Sequence, residues 1–379
     1  MHSKSQQVIR HLLIGKTFGS KCFLWLWLLL LLMMPATLLG SSAEFNVAMP
    51  KGLALCGETV PTGLSDVRES YEKEMLLVLG DKPQAILWLK RSTRFLPFIA
   101  QELKKAGMPE DIKYLPIVES ALLPHAGSSR GAIGFWQLLP ETARNNGLTV
   151  DEFIDQRRDL FLSTPAALKY LMTLHDKFSS WTLALAAYNM GEEGLEAEIL
   201  EQKTDDFYKL YLPLETQRFI FRIQAVKQLI ENPKTYGFNI SSQDFYKPLV
   251  FDTVQVECAQ ETPIRVVADA AHSYFKEIKD LNPHLRGHYL QAGSHLMRVP
   301  KGSAEGFADR FKELSAAHQQ EREQRIYIVQ EGDSLSSIAG NFNVPLAALL
   351  IWNRIDMRKT LRPGDRLVIY PQTDKPHGP

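Results

Sequence analysis

The sequence has no surplus of charge of either sign. Its 379 residues contain 43 Lys and Arg and 43 Asp and Glu, so the formal net charge is zero. A protein that recruits nucleic acid or an anionic membrane surface needs a positive field or a basic patch. The balance therefore argues against nucleic-acid binding, and no nucleic-acid partner is predicted. At this length we expect two to four structural units rather than a single core.

Cysteine is also scarce. The three cysteines are Cys22, Cys56 and Cys258, and Cys22 lies in an apolar N-terminal segment. At most one disulfide, between Cys56 and Cys258, is therefore open to the rest of the chain. No pair of Cys or His residues has the spacing of metal ligands. The sequence therefore predicts neither a metal site nor a bound cofactor.

One long apolar run is present near the N-terminus. Residues 22–39 (CFLWLWLLLLLMMPATLL) follow a basic flank that includes Lys4 and Arg10, and small residues continue to Ala43. This order is typical of a secretory signal peptide. The run is also just long enough to stay in the bilayer as an anchor. We expect residues 1–43 to be one or the other, and the rest of the chain to lie in an extracytoplasmic compartment.

Residues 66–245 have the pattern of an all-helical unit, and residues 44–65 before them, rich in Pro and Gly, are predicted to be a linker. Apolar residues recur at helical spacing from Val67, and Gly107 is expected to end the first helical region.

Three later helices are predicted in the same unit. Ser163-Thr164-Pro165 indicates a helix start, because a hydroxyl residue caps a helix and proline is tolerated in its first turn. That helix is expected to run to Phe178. The stretch Trp181–Asn189 is apolar almost all round, which predicts a buried central helix. A further long helix is predicted over Leu214–Ile230.

From residue 246 the pattern changes to short alternating segments that flank short helical runs. Residues 246–302 and 326–371 share this organisation, and residues 303–325 between them are polar and predict a solvated helical spacer. A short tail, residues 372–379, follows. The two units have equal internal spacings, which indicates one strand-helix-helix-strand unit used twice. The equal intervals, each of 18 positions, are Ile264 to Asn282, Leu335 to Asn353, Asn282 to Pro300 and Asn353 to Pro371. For both asparagines we favour a structural role, closing the second helix.

A single carboxylate stands out in the helical unit. Glu119 lies in an apolar, helix-like run and shares a face with Val118 and Leu122, the side expected to face the core. Burial disfavours the ionised form, so we expect its pKa to be raised. A carboxyl that stays protonated near neutral pH is suited to donating a proton to a leaving oxygen. Taken alone, however, Glu119 is better explained as a structural residue.

The second repeat resembles the LysM module over its whole length. The matching positions include an initial Tyr-x-Val, a Gly-Asp turn, the second-helix asparagine and a Pro-Gly turn: Tyr327, Val329, Gly332, Asp333, Leu335, Ile338, Ala339, Phe342, Asn353, Leu361, Pro363, Gly364 and Leu367. The resemblance implies binding of glycans that contain N-acetylglucosamine. The first repeat keeps the spacing but has Glu261-Thr262 in place of the Gly-Asp turn, so it is interpreted as a degenerate LysM-like unit.

The helical unit resembles the catalytic domain of family 1 lytic transglycosylases. Three motifs in order carry the resemblance: Glu119-Ser120, the stretch from Gly131 to Gln137 (GAIGFWQ), and Ala187-Tyr188-Asn189 with Gly191. The resemblance implies a mainly α, lysozyme-like catalytic domain, joined here to small βααβ LysM modules. It also implies cleavage of the β-1,4 bond between N-acetylmuramic acid and N-acetylglucosamine, with 1,6-anhydromuramoyl ends as product.

By this resemblance Glu119 is the catalytic acid and then the base, and Ser120 orients it and is counted among the substrate-binding residues. Gln137 and Asn189 bind sugar N-acetyl groups or the closing intermediate, and Tyr188 lines the groove. The motifs hold no second acidic residue, whereas an ordinary glycosidase needs two carboxylates about 5 to 9.5 Å apart. The nearest alternatives, Asp155 and Asp159, are expected to pair with Arg157 and Arg158. A hydroxyl supplied by the substrate removes the need for a second carboxylate.

Two aromatic features qualify this comparison. The family has a tyrosine near the acid where this chain has Phe219, which predicts an altered pKa of Glu119 rather than loss of activity. Phe135 and Trp136 are candidates for stacking on sugar rings, and a core role is equally open for one of them.

Two other functions remain open. One is a hydrolytic muramidase on the same fold, and the other is a non-catalytic protein that binds peptidoglycan through LysM alone. In every case the expected partners are peptidoglycan strands, and a membrane if residues 1–43 act as an anchor. The expected location is the periplasm or cell envelope of a bacterium.

Overall fold

The computed structural model describes residues 47, 49–358 and 360–371. The predicted N-terminal signal or anchor segment and the C-terminal tail lie outside these residues. Within them, two small sheeted units follow a helical unit, so the predicted mainly helical fold with βααβ modules is confirmed.

The helical unit contains eight α-helices. They are α1 (Ser65–Gly80), α2 (Lys82–Ala106), α3 (Leu115–Ser120), α4 (Pro140–Asn145), α5 (Leu160–Phe178), α6 (Trp181–Met190), α7 (Glu192–Gln202) and α8 (Leu214–Glu231). Gly107 ends α2 as predicted, because its φ of 66° lets the backbone turn left-handed and return its N–H to the last helical carbonyls. Short 3₁₀ turns, among them Glu110–Tyr114 and Gln156–Arg158, connect the helices.

The predicted central helix is confirmed. Every residue from Thr182 to Ala187 in α6 is buried, and α5 and α8 pack against it. An almost wholly apolar helix gains most when it is covered on all sides, which places α6 at the centre of the core. Its C-terminal end, where Asn189 lies, is partly exposed and is fixed by the turn at Gly191.

The predicted start of α5 was wrong. The helix begins at Leu160, and the Asp159 carboxylate accepts hydrogen bonds from the N–H groups of Phe161 and Leu162. A carboxylate at the N-cap also complements the positive end of the helix, so Asp159 provides a stronger start than the later hydroxyl residues. Ser163 and Thr164 are consequently buried helical residues, and Pro165 lies inside the helix.

The predicted linker is also partly wrong. Strands β1 (Ala54–Leu55) and β2 (Glu58–Thr59) form a hairpin, and Leu55 is fully buried in the core of the helical unit. The Glu58 carboxylate accepts hydrogen bonds from Ser180 Oγ (3.0 Å) and from the backbone N–H of Thr182 (3.0 Å), so it caps α6. These contacts join positions more than 120 residues apart, which local composition does not predict.

The first repeat pairs β3 (Phe251–Cys258) with β6 (Gly293–Pro300) as antiparallel strands. Between them lie β4 (Thr262–Pro263), α9 (Ile264–Ala270), α10 (Phe275–Leu281) and β5 (Tyr289–Leu290). The following helix, α11 (Phe307–Gln324), confirms the predicted helical spacer. Its first turns are not solvated, however, because Phe307 and Phe311 are buried in the core of this repeat.

The second repeat has the same order: β7 (Ile326–Ile328), α12 (Leu335–Asn341), α13 (Leu346–Asn353) and β8 (Arg366–Val368). Asn353 Nδ2 donates to the carbonyls of Leu349 and Val368, and its Oδ1 accepts from Val368 N. Asn282 makes the matching set of bonds with Ile278 and Arg298 in the first repeat. The structural role predicted for both asparagines is confirmed.

Two further observations concern the described residues alone. Cys56 and Cys258 are both free and are buried in separate cores. Among the described helices no single one is long and apolar enough to cross a membrane, and only the bent pair α12–α13 meets the requirement when its two helices are combined.

Candidate active site

Glu119 lies at the C-terminal end of the short helix α3. The helix is delimited by Pro116 at its start and by Ala121 and Leu122 after it, which both have positive φ values, 53° and 59°. Such values are costly for residues other than glycine and are common at functional sites. Arg91 Nη1 donates to the carbonyl of Ala121 (3.0 Å), so α2 holds the turn that immediately follows the acid.

The environment of Glu119 favours its protonated form. Burial is the main cause and raises the pKa of this half-buried carboxyl to about 8. The charge of Arg222 opposes the shift, and the charge of Glu215 adds to it. The predicted upward shift is therefore confirmed in direction. A carboxyl with such a pKa still carries its proton at neutral pH and is suited to act as a general acid.

Both of these neighbouring charges belong to α8 and were missed by the sequence interpretation. Arg222 Nε is 3.3 Å from the buried Glu74 carboxylate, and its Nη1 is 3.1 Å from Glu215. Arg218 pairs with the other oxygen of Glu74. The Glu215 side chain is 62% exposed, so its charge is screened by solvent. Glu215 and Arg222 are about a hundred positions from Glu119 in sequence, and no local pattern connects them with it.

Ser120 is buried, and its hydroxyl lies within hydrogen-bond distance of two backbone carbonyls. They are those of Pro116 (2.9 Å) and Phe135 (2.8 Å). The second contact ties the end of α3 to the loop that carries Gln137. Ser120 therefore positions the segment that holds Glu119 through the backbone, and its predicted part in substrate binding stays a prediction.

Gln137 lies at the end of a tight loop and has a positive φ of 47°. Its Nε2 donates to the carbonyls of Ala126 (3.0 Å) and Gly134 (2.9 Å). Carbonyl oxygens only accept, so this pair of contacts fixes which end of the amide is nitrogen. Among the described residues none donates to Oε1. That oxygen is therefore available as an acceptor for a ligand N–H or O–H group.

Tyr188 and Asn189 lie at the C-terminal end of α6. The Tyr188 hydroxyl donates to the carbonyl of Trp136, and burial together with the nearby Glu119 charge raises its pKa well above the usual value. Asn189 Oδ1 accepts from the Thr216 hydroxyl (2.9 Å), and no described residue accepts from its Nδ2. The amide of Asn189 therefore presents donors, where Gln137 presents an acceptor.

The remaining aromatic candidates belong to the core. Trp136 is fully buried and donates through Nε1 to Thr164 Oγ1 (3.0 Å). Phe135 is buried and contacts Phe95 edge-on, with ring centroids 5.2 Å apart. Neither ring is open to stack on a sugar, so the stacking hypothesis was wrong for both. Phe219 is likewise buried within α8.

The two alternative acids have structural partners, as predicted for Asp155. Asp155 pairs with Arg157 (2.8 Å) and lies 3.6 Å from Arg158. Asp159 caps α5 and pairs with Arg298 and His284 of the first repeat, partners that the sequence did not suggest. Burial acts to raise the pKa of both carboxyls, but the hydrogen bonds and charges of these partners outweigh it and hold each pKa below the usual range. Neither acid is free to serve as a second catalytic carboxylate.

A cavity of about 720 Å³ lies beside the C-terminal end of α6. Tyr170, Met190 and Gly191 line it together with residues of α4 and the start of α7. The Tyr170 ring contacts the Tyr188 ring, with centroids 5.7 Å apart. The cavity therefore adjoins the candidate site residues, which are Glu119, Ser120, Gln137, Tyr188 and Asn189. Its volume suits a ligand of several tens of atoms. Among the described residues, no group of three or more His, Cys, Asp or Glu side chains is arranged to hold a metal ion.

Comparison with known families places this arrangement in a class. Residues 97–211 match the family described as Transglycosylase SLT domain, residues 327–369 match the LysM domain, and residues 250–316 match the LysM-like domain of the lytic transglycosylase MltD. The chain therefore carries an SLT domain followed by two domains of the LysM type, as the two resemblances implied.

Among individual proteins, the chain is similar to membrane-bound lytic murein transglycosylase D of Escherichia coli (strain K12). The two are 34% identical over 293 residues, which is 74% of this chain and 64% of that protein. The protein of the same name from Escherichia coli O6:H1 gives the same values. The chain thus spans a little under two thirds of the length of these relatives.

Among solved structures, the 70 kDa soluble lytic transglycosylase SLT70 of Escherichia coli overlaps with a TM-score of 0.33 at 17% identity. The overlap covers 48% of this chain and 32% of that one. An overlap this limited supports no further conclusion about the site.

Proposed function

We propose that the chain is a peptidoglycan lytic transglycosylase. It cleaves the β-1,4 bond between N-acetylmuramic acid and N-acetylglucosamine and leaves 1,6-anhydromuramoyl ends. The observation that carries the proposal is the state of the carboxyls at the site. Glu119 is half-buried with its pKa raised to about 8, whereas Asp155 and Asp159 are bound in ion pairs. The SLT domain and the relatives named lytic murein transglycosylase support the same activity.

The first chemical step is proton donation by Glu119. The protonated carboxyl gives its proton to the glycosidic oxygen, and the bond from C1 of the muramoyl unit to that oxygen breaks. The N-acetylglucosamine unit leaves with a free hydroxyl, and positive charge develops at C1. Because Glu119 is now ionised in a poorly hydrated place, it is a stronger base than an exposed carboxylate.

The second step closes a ring within the substrate. The muramoyl 6-hydroxyl attacks C1, and the Glu119 carboxylate takes the hydroxyl proton, which regenerates the acid. No water enters the product, and the nucleophile is held by the substrate itself, which reduces the entropic cost of the attack. One carboxyl therefore suffices for both proton transfers.

The neighbouring polar groups are proposed to orient the glycan. The acceptor Oε1 of Gln137 suits an N–H or O–H of the sugar, and the free donors of Asn189 suit an N-acetyl carbonyl. The Tyr188 hydroxyl, anchored on the Trp136 carbonyl, holds its ring beside the acid and excludes water. Ser120 ties the end of α3 to the loop that carries Gln137.

The second repeat is proposed to bind N-acetylglucosamine units of the same polymer, which raises the local concentration of glycan at the enzyme. Residues 1–43 are proposed to export the chain, or to anchor it, in the cell envelope with the enzyme in the periplasm. The name of the Escherichia coli relatives, which includes the word membrane-bound, supports a cell-envelope location.

One observation favours hydrolysis as the competing activity. The charge of Glu215 acts on Glu119, so a second carboxylate does lie in its neighbourhood. Glu215 is, however, paired with Arg222 and largely exposed, which leaves it poorly suited to activate a water molecule.

The test is the mass of the products. Purified protein is incubated with peptidoglycan, and the released fragments are analysed by mass spectrometry beside those of Glu119→Gln. Transglycosylation predicts ends lighter by one water than hydrolysed ends, and none from the variant. Release of hydrolysed ends alone would contradict the proposal. Equal digestion by the Glu119→Gln variant would remove Glu119 from its role.

A further inference from the structure

The first repeat is joined to the helical unit by backbone hydrogen bonds. The N–H of Asp155 donates to the carbonyl of His284 (2.8 Å), and the N–H of Arg286 donates to the carbonyl of Phe153 (2.8 Å). Ile154 and Leu285 form the β-bridge between these two bonds. His284 and Leu285 are both buried, and Leu285 is part of the core of the repeat. A segment of the repeat thus pairs with the helical unit through an isolated antiparallel bridge.

Side chains reinforce the same contact. The buried Asp159 carboxylate accepts from His284 Nδ1 (2.8 Å) and pairs through both oxygens with the guanidinium of Arg298. The Arg298 guanidinium also lies over the rings of Phe161 and Phe251, 4.5 and 5.5 Å from their centroids. A bidentate pair closed off by aromatic rings is oriented in a way that a solvated ion pair is not.

From Asp155 the contact continues to the loop of residues 126–138, which carries Gln137 and is called here the Gln137 loop. The Asp155 carboxylate holds the buried Arg157 guanidinium at Nε (2.8 Å) and Nη2 (2.9 Å). The remaining nitrogen, Nη1, donates to the carbonyls of Gly131 (2.8 Å) and Leu138 (3.0 Å). One side chain therefore clamps the loop at two places.

Gly134 shows how closely the two segments approach. A Cβ atom at this position would lie 1.9 Å from the carbonyl oxygen of Arg157, so no other residue fits while the clamp is in place. Gly134 also has a φ of 85°, which other residues rarely adopt. The glycine thus lets the loop lie directly against the Arg157 backbone.

A second route reaches the same loop through α5. Asp159, held by Arg298, caps the helix, and Thr164 one turn later donates to the Leu160 carbonyl and accepts from Trp136 Nε1. Trp136 is adjacent to Gln137, and its carbonyl accepts the Tyr188 hydroxyl bond. Both routes therefore start in the first repeat and end beside the groups around Glu119.

We propose that the first repeat is a built-in support of the active site, and that Arg157 is the positioning residue through which it fixes the Gln137 loop. This inference rests on the proposed function for its activity readout. It assigns a use to the LysM-like unit other than glycan capture, since residues 284–286 of the unit are bound to the helical unit.

The test breaks the support at a distance from the reacting atoms. Arg298→Gln in the full chain removes the bidentate partner of Asp159 and touches none of the groups around Glu119. Backbone amide exchange is followed by mass spectrometry, and turnover is measured on a soluble, uncrosslinked glycan strand. We expect exchange in residues 126–138 to accelerate at least tenfold, whereas that of α6 stays unchanged. Misplacement of the loop by about 1 Å predicts a fall in kcat of about 10- to 100-fold with little change in KM.

Three further variants complete the experiment. Lys301→Gln breaks an exposed ion pair with Asp252 in the same repeat and should change neither readout. Arg298→Lys keeps the charge and should restore part of both effects. Arg157→Lys loses the planar fork that spans Gly131 and Leu138 and should accelerate exchange in the same loop. All are measured well below their unfolding temperatures.

Exchange and kcat of Arg298→Gln equal to those of the parent would overturn the inference. So would acceleration spread evenly over all helices, which would indicate general destabilisation. Because exchange needs no substrate, a failure of the proposed activity is distinguishable from a failure of the proposed support.

Discussion

The two βααβ repeats have the same internal design and different surroundings. Asn282 and Asn353 make matching bonds between the second helix and the last strand. At the position that receives this bond, the first repeat has Arg298, whose side chain pairs with Asp159, and the second has Val368, a buried apolar residue. The equivalent position thus holds an arginine that binds the helical unit in the first repeat and an apolar residue that makes no such ion pair in the second.

The polar contacts of the second repeat support this distinction. Within the described part of the chain, they run to the first repeat and to α11. Arg354 pairs with Glu261 and lies over the Tyr289 ring, and Ile369 N donates to the Arg325 carbonyl. No hydrogen bond joins described residues of β7 to β8 with the helical unit. With the support role proposed for the first repeat, the comparison predicts different consequences for equivalent mutations in the two repeats.

The largest expected effect on kcat is that of Glu119→Gln, and it is the reference for the variants in the two repeats. Glu119→Gln removes the proton donor and should lower kcat by at least about 10²-fold, in line with general acid catalysis. Wall binding, measured by co-sedimentation with insoluble peptidoglycan, should stay within twofold because the second repeat is intact. The neutral amide is also nearly isosteric, so the thermal unfolding temperature is expected to change little. Lost sedimentation in this variant would tie binding to the active site instead.

A matched pair of variants tests the comparison itself. Asn282→Ala and Asn353→Ala each remove equivalent hydrogen bonds, at a cost of about 1–3 kcal/mol in the stability of the repeat concerned. We expect the first to lower kcat on a soluble glycan strand and the second to leave it unchanged. Sedimentation with insoluble peptidoglycan should weaken in the second variant. Equal effects of the two variants on kcat would contradict the claim that the first repeat alone supports the active site.

Removal of the second repeat tests whether this repeat contributes to binding of the wall and not to turnover. A chain ending at Arg325 should keep kcat on a soluble glycan strand within about twofold. On insoluble peptidoglycan it should lose about 10²-fold or more of its apparent affinity, the factor by which a second binding module commonly raises avidity. The measurement is initial rate against substrate concentration for both substrates. A truncated chain that is inactive on soluble strands would show that the second repeat also supports the active site.

The pH profile tests the environment of the acid in the intact protein. The pKa of Glu119 is raised to about 8 by burial, so the protonated form predominates below that pH. Activity that needs this proton is present below pH 8 and is lost as the pH rises through it. We expect the alkaline limb of kcat/KM, which reports ionisations of the free protein, near pH 8 in the parent. A limb near pH 5 would indicate an exposed, ionised carboxyl.

The smallest expected effect comes from Glu215→Gln. The Glu215 charge raises the pKa of Glu119, so its removal should move the alkaline limb to lower pH. The shift should decrease at high salt, since the Glu215 side chain is exposed. Lys209→Gln, at an exposed ion pair with Asp206, is a control that should leave the limb in place. A shift to higher pH would reverse the assigned sign.

Local patterns predicted much of this molecule. The turn at Gly107, the buried helix Trp181–Asn189 and the equal spacings around Asn282 and Asn353 all depend on interactions within a few turns, and all are confirmed. The apolar face around Glu119 likewise predicted the direction of its pKa shift.

What failed was decided by distant partners. Asp159 caps the N-terminus of α5 and also binds Arg298, which is 139 positions away in sequence. Leu55 lies in the predicted linker but is buried in the core of the helical unit. Beside it, Lys227 of α8 donates a hydrogen bond to the Ala54 carbonyl of the hairpin. Arg222 and Glu215 reach Glu119 from α8. Each of these depends on tertiary packing, which neither propensity nor spacing encodes.

The most direct test of the central claim is digestion of peptidoglycan in water enriched in oxygen-18. If Glu119 acts with the muramoyl 6-hydroxyl as nucleophile, no solvent oxygen enters the product, and the new ends carry no label and are lighter by one water. This is the result we predict. Muramic acid ends that carry oxygen-18 and the full mass of water would show hydrolysis and would contradict the account.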